Sequence, residues 1–222
     1  MSEVPTLDPI EHPPPAQAFE QALLHGIARE AEHRGWHGLD GMPYWRQGPL
    51  FFLLLPLADA RQGHARLSLS MKWRALDRVL WRTLGLSLPE DLRPHAASAH
   101  ALPGVTVYRS AVSGLDGPSE ALARWVALSM QGAADAAARL AGGLDTLPRY
   151  LAFSEREQQA WLQRHPHASS SLWQERVLAA LLQQDVAGAA DLARARLAAG
   201  ECGGFRVRGH SLFERVLALA GT

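Results

Sequence analysis

The chain has 222 residues, 47% hydrophobic and 20% charged, and its 22 basic and 22 acidic side chains cancel to a formal net charge of zero. That length suits one large domain or two small ones, and the neutral balance excludes a global field that would draw the molecule to nucleic acid or an anionic membrane. A single cysteine, Cys202, excludes an intramolecular disulfide and suits a reducing compartment, so a cytoplasmic setting is expected.

The basic side is unusual. Lys72 is the only lysine, and every other strong cation is arginine. With the heavy use of alanine, this points to a GC-rich bacterial genome, so the arginine count says little about phosphate binding. No apolar run approaches the roughly 20 residues a membrane-spanning helix needs. The opening "MSEVPTLDPIEHPPP" lacks the charged start and apolar core of a signal peptide.

Residues 1–15 carry five prolines and read as an extended arm. A helix follows through "AQAFEQALLHGIAREAEHR", with Phe19, Leu23, Leu24, Ile27 and Ala31 on one face and Gly35 as its stop. The texture then changes to short runs broken by Gly and Pro. The run from Leu50 to Leu55 is apolar on both faces, as in a central strand. In "ARLSLSMKW", Leu67, Leu69 and Met71 alternate with Ser68 and Ser70, the period of a half-buried strand, and "ADARQG" between the two runs is the hairpin turn. "VTVYRSAV", residues 105–112, is one more strand.

From residue 116 the chain reads as helical. Pro118 opens a long alanine-rich helix that Gly142 and Gly143 end. Capping boxes are expected at Ser154 with Glu157, Ser171 with Gln174, and Ser211 with Glu214. Asp185 caps the second arm of a helical hairpin over 172–184 and 186–199. "GECGGFRVRGH" is a glycine-rich connector. The expected architecture is α+β: a small antiparallel sheet with helices on one face, followed by a C-terminal helical bundle. Residues 16–115 form the α+β part and 116–222 the helical part, packed together as one domain.

The segment 72–86 reads as a helix with an apolar arc of Trp73, Leu76, Val79, Leu80, Trp81 and Leu84. Arg74, Arg78 and Arg82 stand in file on the opposite face. Asp77 projects into the apolar arc between Trp73 and Trp81. A carboxylate there needs a partner. Either Lys72, Arg74, an indole N–H or a neighbouring backbone holds it and pins the helix to the sheet, or Asp77 and the tryptophans line a cleft for a ligand or a partner's cation.

Lys72, Leu76, Asp77, Leu80, Trp81 and Gly85, at the end of a strand and along the following helix, carry a resemblance. Over residues 16–110 the chain resembles a family of small uncharacterised bacterial α+β proteins with a helix, a β-meander and a Leu-Asp/aromatic helix. The resemblance implies a cytoplasmic immunity or accessory protein, of the kind encoded near secreted toxins and active in interbacterial competition.

Other chemistry is thinly represented. His33 and His37 are separated by the helix stop, while His95, His100, His165 and His167 sit in loops, so no metal and no cofactor is expected. Cys202 with His210 is the nearest pattern to a nucleophile and base, but nothing orients either. Trp36, Tyr44 and Trp45 lie in Gly- and Pro-punctuated sequence, where exposure is expected, and aromatics concentrate where partners dock.

The residues thus favour a non-catalytic protein-binding protein whose partner is another protein, such as a toxin domain. Its binding surface draws on Trp36, Tyr44, Trp45, Trp73, Asp77, Trp81, Arg74, Arg78 and Arg82, or on acidic residues such as Asp40 and Asp59. The alternative is a small hydrolase or transferase using Asp77 or the Cys202 and His210 pair, which requires one of them to open into a cavity with a histidine in reach.

Overall fold

A computed structural model describes residues 15–39, 42–86, 102–165 and 170–221. Apart from Pro15, the expected N-terminal arm lies outside the described residues, as do Asp40, His95, His100 and His167.

Helix α1 (Pro15–His33) buries Phe19, Leu23, Ile27 and Ala31, one residue per turn, while Leu24 is half-buried. Gly35 takes φ 71°, the left-handed conformation that turns the chain out of the helix. Five strands then build one antiparallel sheet in the order β1-β2-β3-β4-β5. They are β1 (His37–Leu39), β2 (Met42–Gln47), β3 (Leu50–Asp59), β4 (His64–Trp73) and β5 (Val105–Val112). The α+β class stands as expected, with β3 central.

Strands β1 and β2 were hidden in the sequence by the Gly and Pro residues around them. Helix α2 (Arg74–Thr83) is shorter than its apolar arc suggested. Lys72 and Trp73 belong to β4, because the ladder continues to Phe51↔Lys72 and Leu50↔Trp73. The strand's alternation outlasts the helical periodicity by two residues.

One face of the sheet, with Phe52, Leu54, Ala65, Leu67, Leu69 and Met71, packs into the main core. That core includes residues of α1 and of α3 (Glu120–Gly143). Ser119, not Pro118, starts α3, its hydroxyl accepting from the Leu122 N–H at 3.2 Å. Small residues Ala133, Ala136 and Ala137 are buried on α3. The opposite face of the sheet carries a smaller cluster of Tyr44, Phe51 and Leu53.

The remaining helices are α4 (Leu147–Arg164), α5 (Leu172–Leu182), α6 (Val186–Ala198) and α7 (Leu212–Ala220). Of the three expected capping boxes only Ser211 with Glu214 forms, closed by hydrogen bonds of 3.3 and 2.6 Å. Ser154 falls inside α4 instead, and Ser171, though first before α5, makes no cap. Both turn their hydroxyls to Glu175, as described below. Asp185 does cap α6, accepting from the Gly188 N–H at 2.8 Å. The glycine-rich connector before α7 contains a small hairpin, β6 (Arg206–Val207) with β7 (His210–Ser211). One buried cluster runs from Phe19 of α1 through Tyr150 of α4 to Val216 of α7. No helix among the described residues is long and apolar enough to cross a membrane.

Candidate functional site

The residues singled out in the sequence fall into different places. Asp77 is 2% exposed, with Lys72 Nζ 3.2 Å from its Oδ2. Lys72 Nζ also donates to the Leu102 carbonyl at 2.8 Å, while the Leu102 N–H reaches Asp77 Oδ1 at 3.4 Å. The pair therefore ties α2 to β4 and to the chain entering β5. Burial lowers the Lys72 pKa, and the Asp77 charge partly opposes that shift. Trp73 is buried against Tyr150, with ring centroids 5.8 Å apart, and Trp81 is half-buried. Asp77 is thus enclosed by its partners, and these tryptophans do not open it to a ligand.

The expectation that Trp36 and Tyr44 stand exposed is corrected. Trp36 is 7% exposed and stacks on half-buried Trp45 at 6.2 Å, and Tyr44 is 4% exposed beside Phe51. The physical reason is β1 and β2: once the punctuated segment pairs into the sheet, its aromatics alternate into the two layers. Arg78 and Arg82 are exposed and Arg74 is half-buried, and none of the three pairs with a carboxylate among the described residues. The Asp59 carboxylate accepts the N–H groups of Arg61 and Gln62, so it shapes the hairpin turn. Cys202 and His210 are both exposed, so the arrangement required of a nucleophile and base in a cavity is not found in them. Among the described residues, no three His, Cys, Asp or Glu side chains gather as metal ligands.

A different surface stands out. Strand β5 is the long edge of the sheet, and a cleft of about 580 Å³ runs beside it. Every residue from Pro103 to Arg109 lines that cleft. Successive side chains of a strand point to opposite faces, so a cavity touching seven in a row follows the backbone edge itself. Glu157, Gln158, Trp161 and Arg164, along one side of α4, form part of the opposite wall, with Ser170, Ser171 and Gln174 at the start of α5 and Gly204 and Phe205 completing it. Val107 has no partner in β4, because the register moves from Leu69↔Tyr108 to Ser70↔Thr106 around it. It is the extra residue of a β-bulge.

The cleft is basic. The Arg109 guanidinium lies 3.8 Å from the centroid of the Trp161 ring. Its pKa is lowered by partial burial, then by the charges of Arg66 and Arg164 nearby. None of these three arginines is paired with a carboxylate among the described residues, whereas Glu157 on the wall is held by Arg156 at 3.3 Å. Among the described residues, three like charges are kept close with no carboxylate paired to any of them.

Behind the wall lies a buried polar network. Glu175 is fully buried; Ser154 donates to its Oε2 at 2.6 Å and Ser171 to its Oε1 at 3.1 Å. Gln158 donates to Ser154 Oγ at 2.8 Å, and its own carbonyl accepts from Ser170 at 2.5 Å. The chain of bonds thus links Glu175 to side chains that line the cleft. Burial raises the Glu175 pKa from 4.5 to about 7, against the opposing hydrogen bonds of Ser154, Ser171 and Tyr150 and the Lys72 charge.

Sequence reasoning missed this site because its parts are far apart: Arg66, Arg109 and Trp161 meet only through the sheet register and the path of α4. The one local signal was Arg109 inside the otherwise uncharged strand "VTVYRSAV". Compared with models of known families, with curated proteins and with solved structures, the chain matches none.

Proposed function

We propose that the protein is a non-catalytic protein-binding protein that captures an extended segment of a partner polypeptide in the cleft along β5. The observation that carries this reading is the edge strand itself. Backbone N–H and C=O groups turned away from β4 can accept another strand, and the bulge at Val107, Arg109 and the packing of α4 guard only part of that edge. Here the edge borders a cleft with room beside it, the arrangement used when a peptide adds a strand to a sheet. Main-chain pairing supplies affinity in that mode, and the walls select side chains.

In the form implied by the family resemblance, the protein is a bacterial cytoplasmic immunity protein and the partner is a toxin domain. Support for that finer reading comes from Lys72, Leu76, Asp77, Leu80, Trp81 and Gly85 alone. The hydrolase or transferase alternative has less support, since Asp77 is enclosed by Lys72 and Leu102 and neither Cys202 nor His210 lines the cleft.

The test is selection of a random linear-peptide library displayed on phage against the folded protein, followed by a Val107→Pro variant checked by circular dichroism. Val107 has no register partner in β4, so proline there disturbs the ladder less than at a paired position while altering the edge. Peptides that bind the wild type, lose binding to the variant and protect β5 amides from hydrogen exchange are the expected result. A library yielding no binder, or binders indifferent to Val107→Pro and protecting another surface, would sink the reading.

A further inference from the structure

We infer that the segment captured along β5 is acidic: an extended stretch of a partner polypeptide with Asp or Glu at alternate positions, whose carboxylates face Arg66, Arg109 and Arg164. This rests on the edge-binding reading above and adds the chemistry of the partner.

The register places the charges. Leu55 pairs with Ser68 and Ser68 with Arg109, so these three form one row across the sheet on a single face. Leu57, Arg66 and Ala111 form the next row on that same face. Directly opposed residues share a face, and the two rows are neighbours two residues apart along the strands. Arg66 and Arg109 therefore point the same way from the sheet, and Arg164 approaches from the end of α4. A strand added beside β5 lies about 4.8 Å from it, and every second side chain of that strand emerges on the face of Arg109. Those are the positions at which a carboxylate meets the three guanidinium groups.

Two further features fit an acidic strand. Trp161 holds Arg109 in place, so little side-chain freedom is lost when the guanidinium takes a carboxylate. Leu55 and Leu57 are 38% and 54% exposed in the same two rows as the arginines. The open face is thus apolar in the middle of the sheet and basic towards the β5 edge. A nucleic acid would answer the arginines but has no repeating N–H and C=O to pair with the edge strand, so the observations favour a polypeptide.

The experiment compares the peptides selected by wild type with those selected by an Arg109→Glu, Arg164→Glu double variant, using the full chain. Both positions are exposed, and melting temperature and circular dichroism confirm the fold. Wild type is expected to enrich Asp and Glu at alternate positions. The variant should bind those peptides about tenfold or more weakly and enrich Lys and Arg instead. Binders without acidic enrichment overturn this inference while leaving the edge-binding reading intact. Absence of any binder overturns both. An oligothymidylate that binds wild type, loses affinity with the double variant and competes with the peptides overturns it in favour of a nucleic acid.

Discussion

The Arg109 guanidinium sits 3.8 Å from the Trp161 ring centroid, joining the edge strand of the sheet to the C-terminal half of α4. His165 touches the same ring, with centroids 3.7 Å apart. A cation over an indole face is worth roughly 0.5–1 kcal/mol at an accessible site. Trp161→Ala is expected to cost more than this, because packing of the half-buried ring goes too. Trp161→Phe should keep much of the packing while weakening the cation contact. Urea denaturation of the two variants separates the contributions; equal losses would place the whole effect in the cation contact.

Lys72 and Asp77 test a different kind of contact. Removing one charge of a buried pair leaves the other uncompensated, at a cost of about 3–5 kcal/mol. Asp77→Asn should fall near that range, reduced where Lys72 loses its proton or turns to Glu175. A Lys72→Met, Asp77→Leu double variant should recover much of the loss, since an apolar pair removes both desolvation costs. Chemical denaturation of wild type, Lys72→Met, Asp77→Leu and the double variant, the four corners of one cycle, measures the coupling, with Asp77→Asn measured beside them. If Asp77→Asn is neutral, the pair does not hold α2 to β4.

Glu175 makes stability depend on pH. Its folded pKa, about 7, lies above its ordinary value of 4.5, so between these values the folded state binds more protons than the unfolded state. Stability contributed by Glu175 is complete below about pH 4.5, falls as pH rises through that window and is lost above about 7. The groups facing it are Ser154 and Tyr150 from α4, Ser171 before α5 and Lys72 from β4. Lys72 acts with the opposite sign: its pKa is lowered, so its contribution rises with pH from its folded pKa until the ordinary 10.5 is passed. Denaturation midpoints of wild type and Glu175→Gln across neutral pH provide the check. The variant should flatten the slope between about 4.5 and 7; an unchanged slope assigns it to another group.

The capping box before α7 is a smaller, local effect. Ser211→Ala removes the hydroxyl that accepts the Glu214 N–H and should cost about 1 kcal/mol. Ser171→Ala changes no cap, because that hydroxyl serves Glu175. Its loss should instead raise the Glu175 pKa further, by removing a hydrogen bond to the carboxylate. Carboxyl resonances followed by NMR titration distinguish the two serines.

What the sequence by itself determined is local. The one-per-turn spacing of Phe19, Leu23, Ile27 and Ala31 is enough to orient α1, and the Leu67, Leu69, Met71 alternation is enough to orient β4. Asp185 and the Ser211–Glu214 box mark helix starts because their partners lie within three residues. Asp77 in an apolar arc required a partner, and Lys72, among the partners expected, supplies it. Tertiary structure decided the rest. Ser154 and Ser171 have the spelling of caps, yet instead of accepting a backbone N–H both hydroxyls donate to the buried Glu175 carboxylate. Trp36 and Tyr44 are core residues only because β1 and β2 pair into the sheet. Above all, the cleft depends on β5 ending the strand order and on α4 bringing Trp161 and Arg164 back across it, a relation between residues more than 50 positions apart for which local periodicity carries no signal.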